Sequence, residues 1–498
     1  MAAVSQLIAA ARTAQLDWAA LPWKLRSAHL KKVESYLASH VDEIAEIISR
    51  DNGKTRVDAL ATELLPALLA LKYFRKAGKK FLREKGIPGG NLLMFNKRSR
   101  LSSVPYGVIG IISPWNYPFA IPFAEVVMAL LAGNAVLLKV ASDTLAVGAA
   151  LENTFAAAGL PKNLFNYVVL PGKEAGPAFI EGGVDKLFFT GSTEIGRQLM
   201  ALAAPRLLPL VLELGGADAA IICADAELDR AARGIIWAGY SNAGQSCGGI
   251  QRVIAHQDIY ESLVEKLADR VRSLRVGEGS SWDSDIGSMT NKKQKAGVSS
   301  QVAACLEAGG RIVARSPYGD EASEDLFFPA LLLTDVPETA PLLQDEVFGP
   351  VVVVIRARDD EEALRLANAS QYGLTGSVWS QNHRKARQLA RSVNAGAVMI
   401  NDHLMSHGLA ETPWGGFGDS GLGRTHGEAG FREMLRSKVI VDDILPFRSR
   451  NIWWQPYSKK VYLGLRALVQ FLAGPRMLDR VRAIPRVLQI FIRYWEKD

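Results

Sequence analysis

The chain has 498 residues, of which 48% are hydrophobic and 22% are charged, and it contains 44 glycines. This length suits two or three folded units, and the composition is that of an ordered α/β protein. A disordered or fibrous chain is excluded. The three cysteines, Cys223, Cys247 and Cys305, are too few and too scattered for a disulfide framework or a thiolate metal site.

The net charge of +7 is concentrated at one end of the chain. Residues 446–498 contain eleven Lys or Arg and three Asp or Glu, so this segment carries +8 and the rest of the chain −1. A near-neutral body does not favour nucleic acid as a partner. The opening residues lack the basic region, apolar run and cleavage site of a secretory signal, so we expect a cytoplasmic location.

In chain order, helices come first. The first eighty residues have apolar positions at helical spacing, whereas residues 87–106 mix apolar and basic residues and predict a protruding hairpin. Two series of short apolar strands alternating with helices follow, at about 107–213 and 219–424. This rhythm predicts two doubly wound, Rossmann-like α/β domains with mostly parallel sheets.

Residues 446–498 differ from the body in composition. Arginines alternate with apolar residues at helical spacing, and Pro475 and Pro485 are expected to divide the segment into short amphipathic helices. No apolar run is long enough for a transmembrane helix. Two alternatives stay open: an interfacial segment on anionic lipid at the inner face of a membrane, which we favour, and a tail packed on the body or on a neighbouring subunit.

The segment FTGSTEIG at 189–196 follows an apolar strand and opens a helix. Free backbone N–H groups and the helix dipole suit a pyrophosphate at such a turn, and glycine permits close approach. A tight turn with a serine cap would give the same pattern, so the motif alone does not decide between them.

Two further motifs carry reactive side chains. NAGQSC at 242–247 places Cys247 among small polar residues, whereas Cys223 and Cys305 lie in patterns typical of a core. LELGG at 212–216 ends a strand with Glu213, a carboxylate that suits a base activating water. A working thiol at Cys247 and a nearby base are therefore a hypothesis from the residues themselves.

Eight motifs in this order resemble the aldehyde dehydrogenase superfamily over roughly residues 53–445. They are PWNYP at 114–118, LLKVAS at 137–142, FTGSTEIG at 189–196, LELGG at 212–216, NAGQSC at 242–247, EVFGP at 346–350, YGLTGSVWS at 372–380 and PWGGFGDSG at 413–421. The motifs SPWNYP at 113–118 and ETPWGGFGDSGLG at 411–423 are most similar to those of the class-3, fatty-aldehyde and coniferyl-aldehyde dehydrogenase branch.

The resemblance implies an aldehyde dehydrogenase-like fold and a homodimer. The implied domains are an NAD(P)-binding domain at 1–86 and 107–213, an oligomerisation hairpin at 87–106, a catalytic domain at 214–424, a C-terminal arm at 425–445 and the basic tail at 446–498.

It also implies three catalytic residues. Cys247 would attack the aldehyde, Asn116 and the Cys247 backbone N–H would hold the oxyanion, and Glu213 would activate the water that hydrolyses the thioester. The implied cofactor-binding residues are Trp115, Lys139, Ser142, Gly172, Gly191, Ser192, Gly196, Leu214, Glu346 and Phe348.

One residue departs from many NAD-preferring relatives, which have Glu where this chain has Ser142. A neutral hydroxyl does not repel a 2′-phosphate, so we expect the enzyme to use NADP, or both NADP and NAD. Use of NAD stays open because the carboxylate of Asp143 is next to Ser142 in the sequence. The seven histidines show no metal spacing, and we predict no metal. Two positions stay open for His403 and His407, which lie near the family's substrate-end loop: contact with the aldehyde entrance, and the surface, which we favour.

The predicted reaction is oxidation of a medium- or long-chain aliphatic aldehyde to its acid. Three alternatives stay open: an aromatic, coniferyl-type aldehyde dehydrogenase, an acylating enzyme that uses coenzyme A, and a silent binding protein that keeps the fold.

Overall fold

The structure, a computed structural model, describes residues 2–90, 92–317, 326–446, 448 and 450–495. The chain divides into two compact units: Met1–Arg83 with Val104–Arg436, and Glu84–Ser103 with Ser437–Asp498. The larger unit contains both of the large sheets. The smaller unit contains the hairpin region and the basic tail. The domain boundaries proposed from sequence stay predictions.

The first large sheet of the larger unit has six strands among the described residues. In spatial order they are Gly421–Leu422, Leu210–Glu213, Lys186–Thr190, Val108–Ile112, Ala135–Lys139 and Phe165–Tyr167. All neighbours are parallel except the first pair, which is antiparallel. The central strands are buried along their whole length, because helices cover both faces of the sheet.

The second large sheet has seven strands among the described residues. In spatial order they are Arg311–Arg315, Leu331–Thr334, Val351–Ala357, Ile250–His256, Asp218–Ile222, Thr375–Trp379 and Ala397–Ile400. Only the first pair of these strands is antiparallel. The predicted α/β fold with two Rossmann-like sheets is thus confirmed. Short strands Tyr372–Gly373 and Phe417–Gly418 form a separate two-stranded ladder.

Helices pack around both sheets. Those before the second sheet are Ala2–Ala20, Trp23–Ser39, Val41–Asn52, Arg56–Ala59, Leu65–Phe81, Ala120–Ala132, Leu145–Ala156, Gly172–Gly182 and Thr193–Ala203, with a π-helical turn at Leu60–Leu64. Those that follow are Leu228–Tyr240, Tyr260–Ser273, Lys292–Glu307, Pro341–Gln344, Asp360–Ala367, His383–Ser392, Met405–Gly408 and Gly427–Glu433. Short 3₁₀ turns lie at Ser142–Thr144, Ala204–Arg206 and Ser241–Gly244.

The smaller unit combines a three-stranded sheet with a helical hairpin. Its strands, in spatial order, are Lys85–Ile87, Lys97–Pro105 and Leu435–Asp443, and its helices are Lys459–Ala473 and Met477–Ile492, with 3₁₀ turns at Leu92–Met94 and Arg493–Trp495. The two tail helices pack through Ala467, Leu468, Ala483 and Val487. Phe491 lies against Phe95 of the hairpin region, with 6.2 Å between the ring centroids.

The expectation that two prolines divide the tail is half wrong. Pro475 lies between the two tail helices, but Pro485 lies inside the helix Met477–Ile492. Proline removes one backbone hydrogen bond, and this helix continues because Ala483 and Val487, on either side of it, are buried against the first helix. Among the described residues, no helix combines the length and the apolar character needed to cross a membrane.

Candidate active site

The backbone before Cys247 adopts an uncommon conformation. Asn242 and Ala243 have φ values of 54° each, and Gly244 has a φ of 67°. A Cβ on Gly244 would lie 2.1 Å from the carbonyl oxygen of Gly349, so only glycine fits there. Left-handed non-glycine residues cost on the order of 1–3 kcal/mol each and persist where the surroundings fix them. The surrounding residues therefore fix the backbone conformation of residues 242–244, just before Cys247.

Asn116 is one of the residues that fix this loop. Its side-chain Nδ2 donates to the carbonyl of Gln245 at 3.1 Å, and the Asn242 Nδ2 donates to the Asn116 carbonyl at 2.9 Å. Asn116 is buried. One N–H of its amide is thus used in positioning, which leaves the second for a group placed beside Cys247.

A buried ion pair supports the backbone of Asn116. Lys54 Nζ lies 2.7 Å from Glu63 Oε1, with both side chains fully buried, and also donates to the Asn116 carbonyl at 2.8 Å. The second Glu63 oxygen accepts the N–H groups of Phe119 and Ala120, at 2.8 and 2.9 Å. Sequence reasoning missed this pair, because a lone Lys and Glu nine positions apart carry no signal of burial.

The Cys247 thiol is half-buried, whereas Cys223 and Cys305 lie in the core as expected. Burial raises the pKa of the Cys247 thiol, and the carboxylates of Glu346, Asp218 and Glu213 raise it further. The thiol is therefore neutral on its own, and forming a thiolate requires a base or a nearby cation.

Glu213 ends its strand in the same cavity that Cys247 lines. The side chain is only 5% exposed, and within the described residues neither carboxylate oxygen has a hydrogen-bond partner of good geometry. Burial raises its pKa well above the ordinary value, the carboxylate of Glu125 raises it further, and Arg424 opposes the shift. A carboxyl of raised pKa that shares a cavity with a thiol has the chemistry of a base when it is ionised.

Glu125 is a second carboxyl of this cavity that sequence reasoning missed. It lies in the helix Ala120–Ala132, whose residues are all buried, and burial raises the pKa of Glu125 to about 8. The sequence signal for Glu125 is that it stands alone as a charged residue in an otherwise apolar helix. His426 lines the same cavity with an unpartnered Nδ1 among the described residues.

The predicted adenosine-end residues lie at the carboxyl edge of the first sheet. Lys139 ends the strand Ala135–Lys139, and a Cβ on Gly172 would lie 3.8 Å from Lys139 Nζ, so the two residues are neighbours. Burial lowers the pKa of Lys139, and Asp143 opposes this. Ser142 is exposed and begins the 3₁₀ turn Ser142–Thr144.

The predicted pyrophosphate turn leaves a helix N-terminus open. Ser192 precedes the helix Thr193–Ala203, is exposed, and makes no capping hydrogen bond. The Gly191 N–H donates to the Glu213 carbonyl at 3.0 Å. A Cβ on Gly196 would meet Leu214 at 2.7 Å, so this glycine allows the close packing of helix and strand. Free N–H groups at such a terminus suit an anion.

Glu346 contacts the glycine pair after Glu213, and Phe348 contacts Trp115. The Gly216 N–H donates to Glu346 Oε1 at 3.1 Å, and a Cβ on Gly215 would lie 2.5 Å from the same carboxylate. Burial raises the pKa of Glu346 to about 7. The rings of Trp115 and Phe348 meet edge-on with 5.3 Å between centroids.

An apolar cavity leads to the other side of Cys247. It is lined by Ala61, Thr62, Pro66, Tyr117, Trp237, Ser246, Cys247, Gly248, Leu404, Met405, His407, Gly408 and Trp414. None of these described residues is a Lys, Arg, Asp or Glu. Burial lowers the pKa of His407 to about 4, so it is neutral near pH 7.

The favoured surface position is wrong for His403, whereas His407 is half-buried and lines the cavity beside Cys247. His403 is fully buried, where Nδ1 hydrogen-bonds Ser377 Oγ at 2.8 Å and Nε2 the Gly248 carbonyl at 3.0 Å. His407 packs edge-on against Trp414, 4.9 Å between centroids. Within the described residues, no group of three or more His, Cys, Asp or Glu is arranged to hold a metal ion.

Two Rossmann-like sheets, with a thiol and a buried carboxylate in the lining of one cavity, are typical of an enzyme that acts on a small organic substrate. Residues 1–440 match the model of the Aldehyde dehydrogenase family. The chain belongs to the aldehyde dehydrogenase family, whose members are oxidoreductases.

Three relatives give the degree of similarity. The chain is 34% identical over 494 residues to the 4,4'-diapolycopene aldehyde oxidase of Methylomonas sp, covering 98% of this chain and 91% of that protein. It is 33% identical over 441 residues to a putative succinate-semialdehyde dehydrogenase [NADP(+)] of Mycolicibacterium smegmatis, covering 88% and 84%. A betaine aldehyde dehydrogenase of Staphylococcus aureus, solved in complex with NAD+, is 29% identical with a TM-score of 0.85, covering 91% and 89%.

Proposed function

We propose that this protein oxidises an aldehyde to the carboxylic acid with NAD(P) as cofactor, through a covalent thioester on Cys247. The observation that carries the proposal is the pairing of the Cys247 thiol and the Glu213 carboxylate in one cavity, where the pKa of Glu213 is raised by burial. A base of raised pKa can take a proton from a thiol or from water near neutral pH. A silent binding protein would need neither group.

In the proposed reaction, Glu213 accepts the thiol proton and the Cys247 sulfur adds to the aldehyde carbon. The oxyanion of the thiohemiacetal accepts the second N–H of the Asn116 amide and the Cys247 backbone N–H. During the oxidation, hydride leaves the substrate carbon for NAD(P)+ and Glu213 gives up the thiol proton to solvent. Glu213 then removes a proton from water, whose oxygen attacks the thioester carbon, and returns that proton to the departing Cys247 sulfur, which releases the acid and restores the thiol. The presence of this base favours hydrolysis over transfer to coenzyme A.

The groove fits the cofactor at three points. The open helix N-terminus after Ser192 suits a pyrophosphate, Gly215 makes room for the Glu346 carboxylate that would bind ribose hydroxyls, and Lys139 beside Gly172 would bind the adenosine ribose. When bound, NAD(P)+ supplies the hydride acceptor of the oxidation. Its positive charge would also favour the Cys247 thiolate, whose pKa the surrounding carboxylates raise.

We propose NADP or dual cofactor use, because Ser142 is exposed and uncharged where a carboxylate would repel a 2′-phosphate. The relative from Mycolicibacterium smegmatis is named as a putative succinate-semialdehyde dehydrogenase [NADP(+)], which agrees with this. Asp143 is the nearest negative side chain in sequence and keeps NAD open.

A long apolar aldehyde is the proposed substrate. The cavity beside Cys247 is lined by apolar and aromatic side chains, among which Trp237 and Met405 are 40% and 43% exposed and mark its mouth. A short acidic aldehyde would need a cation in this lining, and the described lining offers none. The Methylomonas relative, named for a carotenoid aldehyde, aligns over nearly the whole chain and so includes the tail. An aromatic, coniferyl-type aldehyde is the second candidate, because Tyr117, Trp237 and Trp414 also suit a ring.

We propose that the chain belongs to the class-3 and fatty-aldehyde branch, because the cavity beside Cys247 has an apolar lining. We also propose a homodimer and a peripheral contact of the tail with anionic lipid. The strand Leu435–Asp443 is the edge of its sheet and exposes Val439, Ile440 and Val441, a pattern that suits pairing with a second copy. The lipid contact is supported by the +8 charge of residues 446–498 and by exposed Trp454.

The reaction is tested by following NAD(P)H formation with hexanal, dodecanal and succinate semialdehyde in the native enzyme and in Cys247→Ser. We expect kcat/KM to rise from hexanal to dodecanal, to be low for succinate semialdehyde, and to vanish in the variant while NADP binding persists. Turnover by Cys247→Ser would refute the mechanism. A preference for succinate semialdehyde would refute the substrate class without touching the chemistry.

A further inference from the structure

The tail contains a cavity of about 470 Å³ at the end of its helical hairpin where the chain enters the first helix and leaves the second. Five cationic side chains line it: Arg450, Lys459, Lys460, Arg486 and Arg493. No acidic residue is among the described lining residues. Asp479, in the first turn of the second helix, is near Gly474 at the opposite end of the hairpin.

Arg493 is the strongest indication of a ligand. Its side chain is 5% exposed, and Nη2 donates to the carbonyl oxygens of Trp454 and Pro456. Among the described residues, its buried Nε and Nη1 have no hydrogen-bond partner. A buried guanidinium with two unused donors is costly unless an acceptor fills the adjacent space. The cavity that Arg493 lines is that space.

The start of the helix Lys459–Ala473 adds the positive end of a helix dipole to the cationic lining of the cavity. Lys459 and Lys460 occupy the first turn of the helix Lys459–Ala473, where the helix dipole is already positive and cations are disfavoured. The backbone N–H of Val461 is capped by Ser458, so the helix end is ordered. A doubly charged anion would offset both the dipole and the charge of Lys459.

The rest of the cavity suits a ligand that is only partly polar. Pro456, Val461 and Ile490 give it apolar walls. Close by in sequence, Tyr457 and Leu488 are 65% and 61% exposed. An apolar surround to a cationic pocket fits a phosphate that is joined to hydrocarbon rather than a free ion.

We propose that this cavity binds the phosphate of an anionic phospholipid headgroup, with preference for a phosphomonoester. The inference deepens the proposed lipid contact of the tail and does not depend on the aldehyde chemistry. Arg486 and Arg493 would donate charge-assisted hydrogen bonds to the phosphate, and Lys459 would supply a further charge. The tail would then recognise a headgroup as well as an anionic surface.

The experiment measures binding of the full-length enzyme to vesicles of phosphatidylcholine containing phosphatidic acid, or phosphatidylserine at matched surface charge. Arg486→Gln is compared with Arg482→Gln, which removes the same charge from an exposed position of the same helix outside the cavity. We expect tighter binding to phosphatidic acid, weakened about tenfold or more by Arg486→Gln, as for a lost hydrogen bond to a charged group. Arg482→Gln should change it by less than about twofold.

Three results would overturn the proposal. Equal losses in the two variants, or no preference between the two lipids, would mean diffuse charge rather than a site. Inorganic phosphate or glycerol phosphate binding as tightly as the vesicles would mean a soluble ligand. A changed oligomeric mass of Arg486→Gln would mean that the cavity is an interface between copies.

Hexanal oxidation is measured in parallel and should be unchanged in both variants. A native enzyme that binds phosphatidic acid but does not oxidise aldehydes would refute the proposed reaction and leave this site intact. The converse result, oxidation without vesicle binding, would refute the site alone.

Discussion

Replacing Lys54 by Met tests whether the buried ion pair supports both the fold and the position of Asn116. The variant leaves the Glu63 carboxylate buried with only two backbone N–H partners, and it removes the donor to the Asn116 carbonyl. Removing one partner of a fully buried pair costs about 3–5 kcal/mol, because the remaining charge is uncompensated. We expect a loss of this size in the free energy of unfolding.

Activity should fall as well, for a separate reason. Without the Lys54 donor the Asn116 loop is held less tightly beside Cys247, and small displacements of a positioned group cost about ten- to a hundredfold in kcat. The assays are denaturant unfolding followed by tryptophan fluorescence, and NAD(P)H formation at saturating aldehyde under native conditions. Binding of NADP should be retained.

Two controls make the result interpretable. Lys266→Met breaks an exposed pair, Lys266 with Asp229, at a similar distance of 3.0 Å, and should have little effect because surface pairs are screened. Adding Glu63→Gln to Lys54→Met should recover part of the lost stability, since no buried charge is left unpaired. Equal losses for Lys54→Met and Lys266→Met would refute the reasoning.

Three further predictions concern the chemistry. Glu213→Gln should leave attack and oxidation possible but stall hydrolysis, so stopped-flow absorbance should show a burst of NAD(P)H of about one equivalent and then a slow phase; an unchanged steady rate would exclude the base role. Ser142→Glu should shift the ratio of kcat/KM values toward NAD over NADP, and an unchanged ratio would mean that this side chain does not face the adenosine ribose. Glu125→Gln should lower the pKa of Glu213, whose ionised form is the base. The acidic limb of the kcat–pH profile, where activity falls as pH decreases, should therefore move to lower pH, and a limb that stays in place would contradict coupling of the two carboxyls.

The local pattern of the chain was enough to predict much of this protein. Alternating apolar strands and helices predicted two parallel sheets, because strands buried on both faces must be continuously apolar and short turns must join them. The family motifs identified Cys247 and Glu213 as candidates, since each motif keeps its reactive residue in a fixed local setting. The uneven charge of the tail is likewise a property of the sequence alone.

Features that depend on distant segments coming together could not be predicted in this way. The pairing of Lys54 with Glu63, the presence of Glu125 beside Glu213, and the burial of His403 are decided by tertiary packing. Pro485 inside a helix is another case, because local propensity opposes what packing against the neighbouring helix stabilises. Sequence by itself determined the alternation of strands and helices in the two large sheets, the fold class and the candidate nucleophile, because these follow from local periodicity and short motifs. Only the tertiary structure decided which polar groups are buried, because desolvation depends on neighbours from every part of the chain. Desolvation raises the pKa of Glu213, and burial leaves Nε and Nη1 of Arg493 without a hydrogen-bond partner among the described residues.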